Sequence, residues 1–193
     1  MSHPESLAAS AAPGAAGVTV RPARADELAE AGDVVRLAYA ADGYAGEYLD
    51  VVADAADRSR DAEIVVAVDR AGRVLGCVTF VLPGSRWAEL SVPGQAEFRM
   101  LGVLPQARGR GVGRALTVWC IERARTHAAR QVVLCSLPSM TVAHRLYDDL
   151  GFRRSPDLDW TPKPGVELLG FLLELDPADG SAPQPAGEVQ PAG

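Results

Sequence analysis

The stretch from Glu97 to Leu116, EFRMLGVLPQARGRGVGRAL, carries the residue types and spacing best suited to chemistry. An apolar run, Phe98 to Leu104, stops at Pro105, and a segment of glycines and arginines then leads into a long helical pattern. That order predicts strand, loop, helix start. Gly109, Gly111 and Gly113 let backbone approach a ligand closely, while Arg108, Arg110 and Arg114 put positive charge where a helix begins. The first N–H groups of a helix have no intrahelical partner, so the loop suits an anion, and a diphosphate could accept several of them at once. No Lys-Ser/Thr follows the last glycine, so this is not a Walker A loop. Nor does the sequence have the first strand–helix turn of a dinucleotide fold with an acidic ribose ligand about 20 residues on. On these residues alone, a glycine-rich turn with solvated arginines stays open.

The elements around this loop are legible in order. Val18 to Arg21 alternates and runs into Pro22, as an edge strand would. Asp26 is placed to cap a helix with Leu28, Ala31, Val35 and Ala38 on one face, ended by Gly43. A second helix is expected over Ala45 to Arg58. From Glu63 the period becomes two: EIVVAVD, a turn at Arg70 to Gly72, and RVLGCVTFVL predict a β-hairpin. A broken connection, Pro83 to Gln95, precedes the opening strand. The helix after Gly113 has Leu116, Trp119, Cys120 and Ala124 on one side, and QVVLCS, Gln131 to Ser136, reads as a strand buried on both faces. Strand, helix, strand makes a βαβ crossover. Pro138 and Ser139 start another helix, with Val142, Ala143, Leu146, Tyr147 and Leu150 as its stripe and Gly151 as its C-terminal cap. Phe152 to Arg154 begins a strand, a proline-rich loop follows, and Val166 to Leu175 closes the sheet. The fold class is mixed α/β (α+β) with a sheet of six or seven strands.

The bulk properties bound the rest. The chain has 193 residues, 48% of them hydrophobic and 23% charged, which fits one soluble globular domain, expected over residues 17–176 between disordered tails at 1–16 and 177–193. A net charge of −6 speaks against a nucleic-acid partner held by bulk charge. No apolar run approaches the length of a membrane span, and no basic segment precedes Arg21, so neither membrane nor export signal is expected. Cys77, Cys120 and Cys135 lack the paired spacing of a zinc site or disulfide framework and read as buried thiols in a reducing compartment, the cytoplasm. No metal is expected.

Val103, Pro105, Arg108, Gly109, Gly111 and Gly113, then Ala143, Leu146, Tyr147, Gly151 and Phe152, together form a long ordered pattern from Glu97 to Arg154. It resembles the GNAT superfamily, the Gcn5-related N-acetyltransferases, which move an acetyl group from acetyl-CoA to an amine. The resemblance implies a mostly antiparallel sheet with a splayed central strand pair and about four flanking helices. Arg108, Gly109, Arg110, Gly111, Val112, Gly113 and Arg114 match the family's diphosphate loop, and Leu101, Gly102 and Val103 match the strand that pairs with the pantetheine arm of coenzyme A. That strand is expected to bulge at Leu101-Gly102. Tyr147 matches the usual general acid, a phenol that protonates the departing thiolate. Glu97 falls where the histone-type branch keeps a glutamate base. Such help matters, because an alkyl ammonium of pKa about 10.4 costs roughly 4–5 kcal/mol to deprotonate at pH 7. The family often has Asn where this chain has Met140, which removes a polar contact to the cofactor arm that Ser136 or Ser139 could supply instead.

The acceptor, a small-molecule or peptide amine, would be shaped by Tyr44, Tyr48, Thr79, Phe80, Trp87 and Trp160. His127 and His144 read as solvated. A homodimer is possible by likeness to the family. Two other functions compete: a non-catalytic CoA-binding regulatory or interaction domain of the same fold, and a nucleotide-binding protein using the glycine loop for ATP.

Overall fold

A computed structural model describes residues 17–175, so the tails expected at 1–16 and 177–193 lie outside the described residues. The chain opens with an edge strand, β1 (Thr19–Pro22), and the helix α1 (Leu28–Ala41). The short helices α2 (Tyr48–Ala53) and α3 (Ala55–Arg58) come next, and then three strands, β2 (Glu63–Val68), β3 (Val74–Val81) and β4 (Gln95–Val103). Next come α4 (Val112–Thr126), β5 (Gln131–Ser136) and α5 (Thr141–Asp149), and last β6 (Arg153–Arg154), β7 (Trp160–Lys163) and β8 (Val166–Glu174). The sheet order is β1-β2-β3-β4-β5-β8-β6, with β7 paired to β8. β4 and β5 run parallel and the other pairs antiparallel.

Helices cover both faces, which is why β3 reads as an unbroken apolar run and buries all of its residues. On one face α4 and α5 press Leu116, Cys120 and Leu146 onto Phe98, Val132 and Leu134. On the other, α1 and α2 set Val35, Ala38 and Val52 against Val66, Cys77 and Met100. No helix among the described residues is long and apolar enough to cross a membrane.

Three local expectations are corrected. The single helix over Ala45 to Arg58 is two, because Asp54 leaves helical geometry at φ −81° and ψ 69° and its carboxylate caps the Asp57 N–H at 2.8 Å. Asp26 does not cap α1: Glu27 Oε2 takes the Arg24 N–H at 2.8 Å, while Asp26 pairs with the Arg24 guanidinium. The proline-rich loop contributes a strand, β7, and the sheet therefore has one strand more than expected.

Candidate active site

β4 and β5 meet in register over three pairs only, Gln95 with Gln131, Ala96 with Val132 and Glu97 with Val133. Beyond Glu97 they separate, although β4 continues to Val103 and β5 to Ser136. This splay makes a wedge at the centre of the sheet.

A bulge in β4 sets what faces the wedge. Cys77 pairs with Gly102 and Thr79 with Arg99, so β4 spends one residue more than β3 over this step. Met100 takes φ 50° to accommodate it. The extra residue therefore sits at Met100-Leu101, one position before the expected Leu101-Gly102. Because strand side chains alternate with a period of two, it reverses their facing downstream. Leu101 and Val103 turn to the α4 side, and Gly102 turns to α1, where a Cβ would come 3.0 Å from Val35 Cα. Only glycine lets the helix lie this close.

On the α4 side is a cleft of about 720 Å³. Of the residues matched to the cofactor, it brings together Leu101, Gly102, Val103, Arg108, Gly109, Gly111, Val112, Gly113, Arg114 and Ser139, with Arg110 outside the lining. Gly109 and Gly111 hold φ 73° and 78°, the left-handed geometry that turns the loop into α4. The N–H groups of Gly109 through Arg114 are left without a backbone partner among the described residues, while the Gly111 carbonyl accepts the first helical bond from Ala115. Arg108 uses its side chain elsewhere: it forks onto Asp42 at 2.8 and 3.0 Å and donates to the Ala38 carbonyl at 3.1 Å. What the loop offers an anion is mainly backbone.

The cleft also has walls that sequence reasoning missed. Val142, Arg145 and Asp149 line it from one face of α5, a helical spacing the sequence did contain. Ala38 and Asp42 line it from α1, for which nothing in the motif gave a signal.

Tyr147 follows Leu146 on α5 and is buried among Phe98, Phe152 and Phe171, with ring centroids 5.7 to 6.0 Å away. Burial, with smaller contributions from Cys135, Cys120 and Tyr44, raises its pKa well above that of an ordinary phenol. The hydroxyl stays protonated at neutral pH, as a proton donor must. Glu97, at the apex of the wedge, is fully buried and already committed. Its Oε2 accepts the N–H groups of Glu89, Leu90 and Ser91 at 3.0 to 3.1 Å, which fixes the loop before β4, and its Oε1 has no hydrogen-bond partner.

The opposite side of the wedge is built from side chains. Tyr39, Tyr44 and Tyr48 cluster with centroids 4.7 to 6.1 Å apart. The Tyr44 hydroxyl meets the Met140 sulfur at 3.8 Å, so Met140 joins this wall instead of simply losing a polar contact. Arg99 donates to the Trp87 carbonyl at 2.6 Å and pairs with Glu89 at 2.5 Å. Cys135 is not fully buried as expected. It lines the wedge on β5, its pKa pushed up to about 11 by burial, and the Trp160 indole faces it without a well-formed hydrogen bond.

Of the other residues expected to shape the acceptor, Thr79 and Phe80 are core. Thr79 holds the buried Arg58 at 3.1 Å, and Phe80 packs edge-on to Trp119. Of the histidines, His127 is exposed as expected, with its ring stacked on Phe80, whereas His144 is half-buried and tilted against Phe171, and burial lowers its pKa.

The chain is similar to known proteins. A mycothiol acetyltransferase of Arthrobacter sp. is 39% identical over 54% of this chain, and one of Sanguibacter keddieii is 32% identical over 80%. The matched regions span 32% and 49% of those proteins, so this chain covers half of its relatives' length or less. A Gcn5-related N-acetyltransferase from Kribbella flavida superposes over 82% of this chain and 98% of its own, with a TM-score of 0.62 and 28% identity. The sequence model of the Acetyltransferase (GNAT) family matches residues 33–152, from mid-α1 to the end of the Tyr147 motif, and with the splayed sheet and glycine loop this establishes that the chain belongs to the GNAT acetyltransferase family.

Proposed function

We propose that the protein transfers an acetyl group from acetyl-CoA directly to a primary amine. The observation that carries this reading is the row of unpartnered N–H groups from Gly109 to Arg114 at the mouth of a cleft bordered by the bulged strand. They fit the cofactor's diphosphate, since several donors and the positive end of α4 converge without needing a side-chain cation. Leu101 to Val103 would hold the pantetheine arm along β4, and Ser139 and Met140 would bound it from the start of α5. When bound, acetyl-CoA supplies an activated thioester carbonyl.

The chain's own residues then orient and move protons. Tyr147 holds a proton for the departing sulfur, and Glu97 fixes the loop that borders the acceptor side. Direct transfer is favoured over an acyl-enzyme because the thiol on β5 is a poor nucleophile: burial pushes Cys135 up to about 11. The acceptor is an amine of a small molecule or a peptide. On the name those relatives carry, a compound related to mycothiol is one to test. The three cysteines are free thiols, in keeping with a cytoplasmic protein.

Thermal denaturation with acetyl-CoA and with ATP tests the cofactor. Acetyl-CoA alone should raise the melting temperature, and equal stabilisation by both would refute the assignment. Free-thiol release over a panel of amines then tests transfer, and cofactor binding without release for any amine would favour the non-catalytic domain.

A further inference from the structure

The segments around the acceptor side of the wedge hold a concentration of unsatisfied buried polar atoms: Trp87 Nε1, Ser91 Oγ, Glu97 Oε1 and Trp160 Nε1 have no hydrogen-bond partner among the described residues. Buried polar groups are nearly always paired, so such a cluster marks a place where a ligand or ordered water completes the structure. The charged groups there share one design. Arg99, 12% exposed, is the guanidinium between two carboxylates: its Nη2 lies 2.5 Å from Glu89 Oε1 and its Nε 3.7 Å from Glu97 Oε1. Glu97 is sealed under the loop it anchors. Glu89 rides on that loop, with its side chain 29% exposed and Arg99 as its ion-pair partner.

Glu89 is held where β4 and β5 part: its N–H donates to Glu97 Oε2 at 3.1 Å, Glu97 being the last β4 residue paired with β5, and its carboxylate pairs with Arg99 two residues further along β4. Its charge acts on Tyr48 from α2 and on Cys135 from β5, alongside Arg99 and Glu97 from β4, while Arg58 lies behind Tyr48, bonded to Thr79 and to the Val51 and Val52 carbonyls. Burial raises the Glu89 pKa despite the opposing pull of Arg99. A carboxylate held on one oxygen by Arg99 and still reached by solvent suits an ammonium group.

Resting on the acetyltransferase reading above, we propose that Glu89 receives the acceptor's ammonium and takes its proton, with Arg99 and Glu97 as positioning residues, so that the acceptor is an amine that is cationic at neutral pH. The proton passes from nitrogen to the Glu89 carboxylate. The freed lone pair forms the bond to the acetyl carbon, the carbon–sulfur bond breaks with its electron pair leaving on sulfur, and the sulfur takes a proton from Tyr147. As the amide forms, its nitrogen gives up its second proton through water to Tyr147, which is thereby restored, and Glu89 releases the first proton to solvent.

Glu89→Gln tests this with two readouts. Tryptophan fluorescence, with Trp87 as the near reporter, follows titration of the protein with hexylammonium and with neutral hexanol at pH 7. The variant should bind hexylammonium about tenfold more weakly and hexanol equally. Equal hexylammonium affinity in both proteins would overturn the site. In turnover with the best amine found, kcat/KM at pH 7 should fall about 100-fold, and the deficit should shrink as pH approaches the amine's own pKa near 10. An unchanged acidic limb of the pH profile would overturn the proton transfer. Wild-type protein that binds hexylammonium through Glu89 yet never binds acetyl-CoA would support the ammonium site and refute the transferase reading, so the two failures are distinguishable.

Discussion

The two sides of the β4–β5 wedge are made differently. The side proposed for the cofactor is contiguous backbone: four glycines, a run of N–H groups without a backbone partner and a bulged strand, all within Met100 to Arg114. The side proposed for the acceptor is assembled from side chains far apart in sequence, with Tyr39, Tyr44 and Tyr48 from the first helices, Glu89 and Arg99 around the loop before β4, and Cys135 and Trp160 from beyond α4. Backbone donors recognise a diphosphate whatever side chains surround them, so that end can remain one fixed motif. Side chains set the shape and charge of the other end, and a different amine can be met by changing them without disturbing the loop.

Variants can break this division. The largest effect is expected from Tyr147→Phe, which removes a proton donor but none of the groups that line the cleft. Turnover should fall about 100- to 1000-fold with acetyl-CoA affinity unchanged, measured by steady-state kinetics and calorimetry, and a matching loss of affinity would erase the distinction. Glu97→Ala should act through the loop instead. It leaves three N–H groups without their acceptor, costing about 3 kcal/mol, or a melting temperature roughly 6–12 °C lower for a domain of this size. Gly111→Ala forces a side chain at φ 78°. It should cost about 1–2 kcal/mol and weaken cofactor binding about tenfold while kcat for a saturated enzyme holds.

A control away from both sides uses pH. The Arg21 guanidinium, forked onto Glu27 at 2.7 Å, and the Arg24 N–H lower the Glu27 pKa to about 2 despite its burial. The folded value is depressed, so this contribution is complete above the unfolded pKa of about 4.3 and fades as pH falls towards 2. With partial solvent screening it amounts to about 1–2 kcal/mol. Glu27→Gln should flatten that limb of an acid-unfolding curve and leave both ends of the wedge intact. Smallest of all, Arg108→Ala removes a largely exposed ion pair with Asp42 and should shift stability by no more than about 1 kcal/mol. Because the side chain is spent on α1, cofactor affinity should change little.

Legibility followed the same division. The strand, the loop, the start of α4 and the stripe carrying Tyr147 could be read in order, because glycine spacing, Pro105 and helical periodicity are local signals. Where a tertiary bond overrode a local preference, the reading missed: Asp54 split a helix, Glu27 took a cap that Asp26 was placed to make, and Met100 moved the bulge by one residue. Thr79 and Phe80 show the limit for side chains, since a strand residue's type does not say which layer will cover it.

By itself, then, the sequence determined the order of elements, the family resemblance and the glycine loop at the start of α4, all of which rest on residues within a few positions of one another. Only the tertiary structure decided that Glu97 is sealed beneath a loop, that Arg108 is spent on α1, and that Glu89 is pinned between the Glu97 carboxylate and the Arg99 guanidinium. The physical reason is that a carboxylate's chemistry depends on what removes its water and which charges surround it, and those neighbours come from segments that only folding brings together.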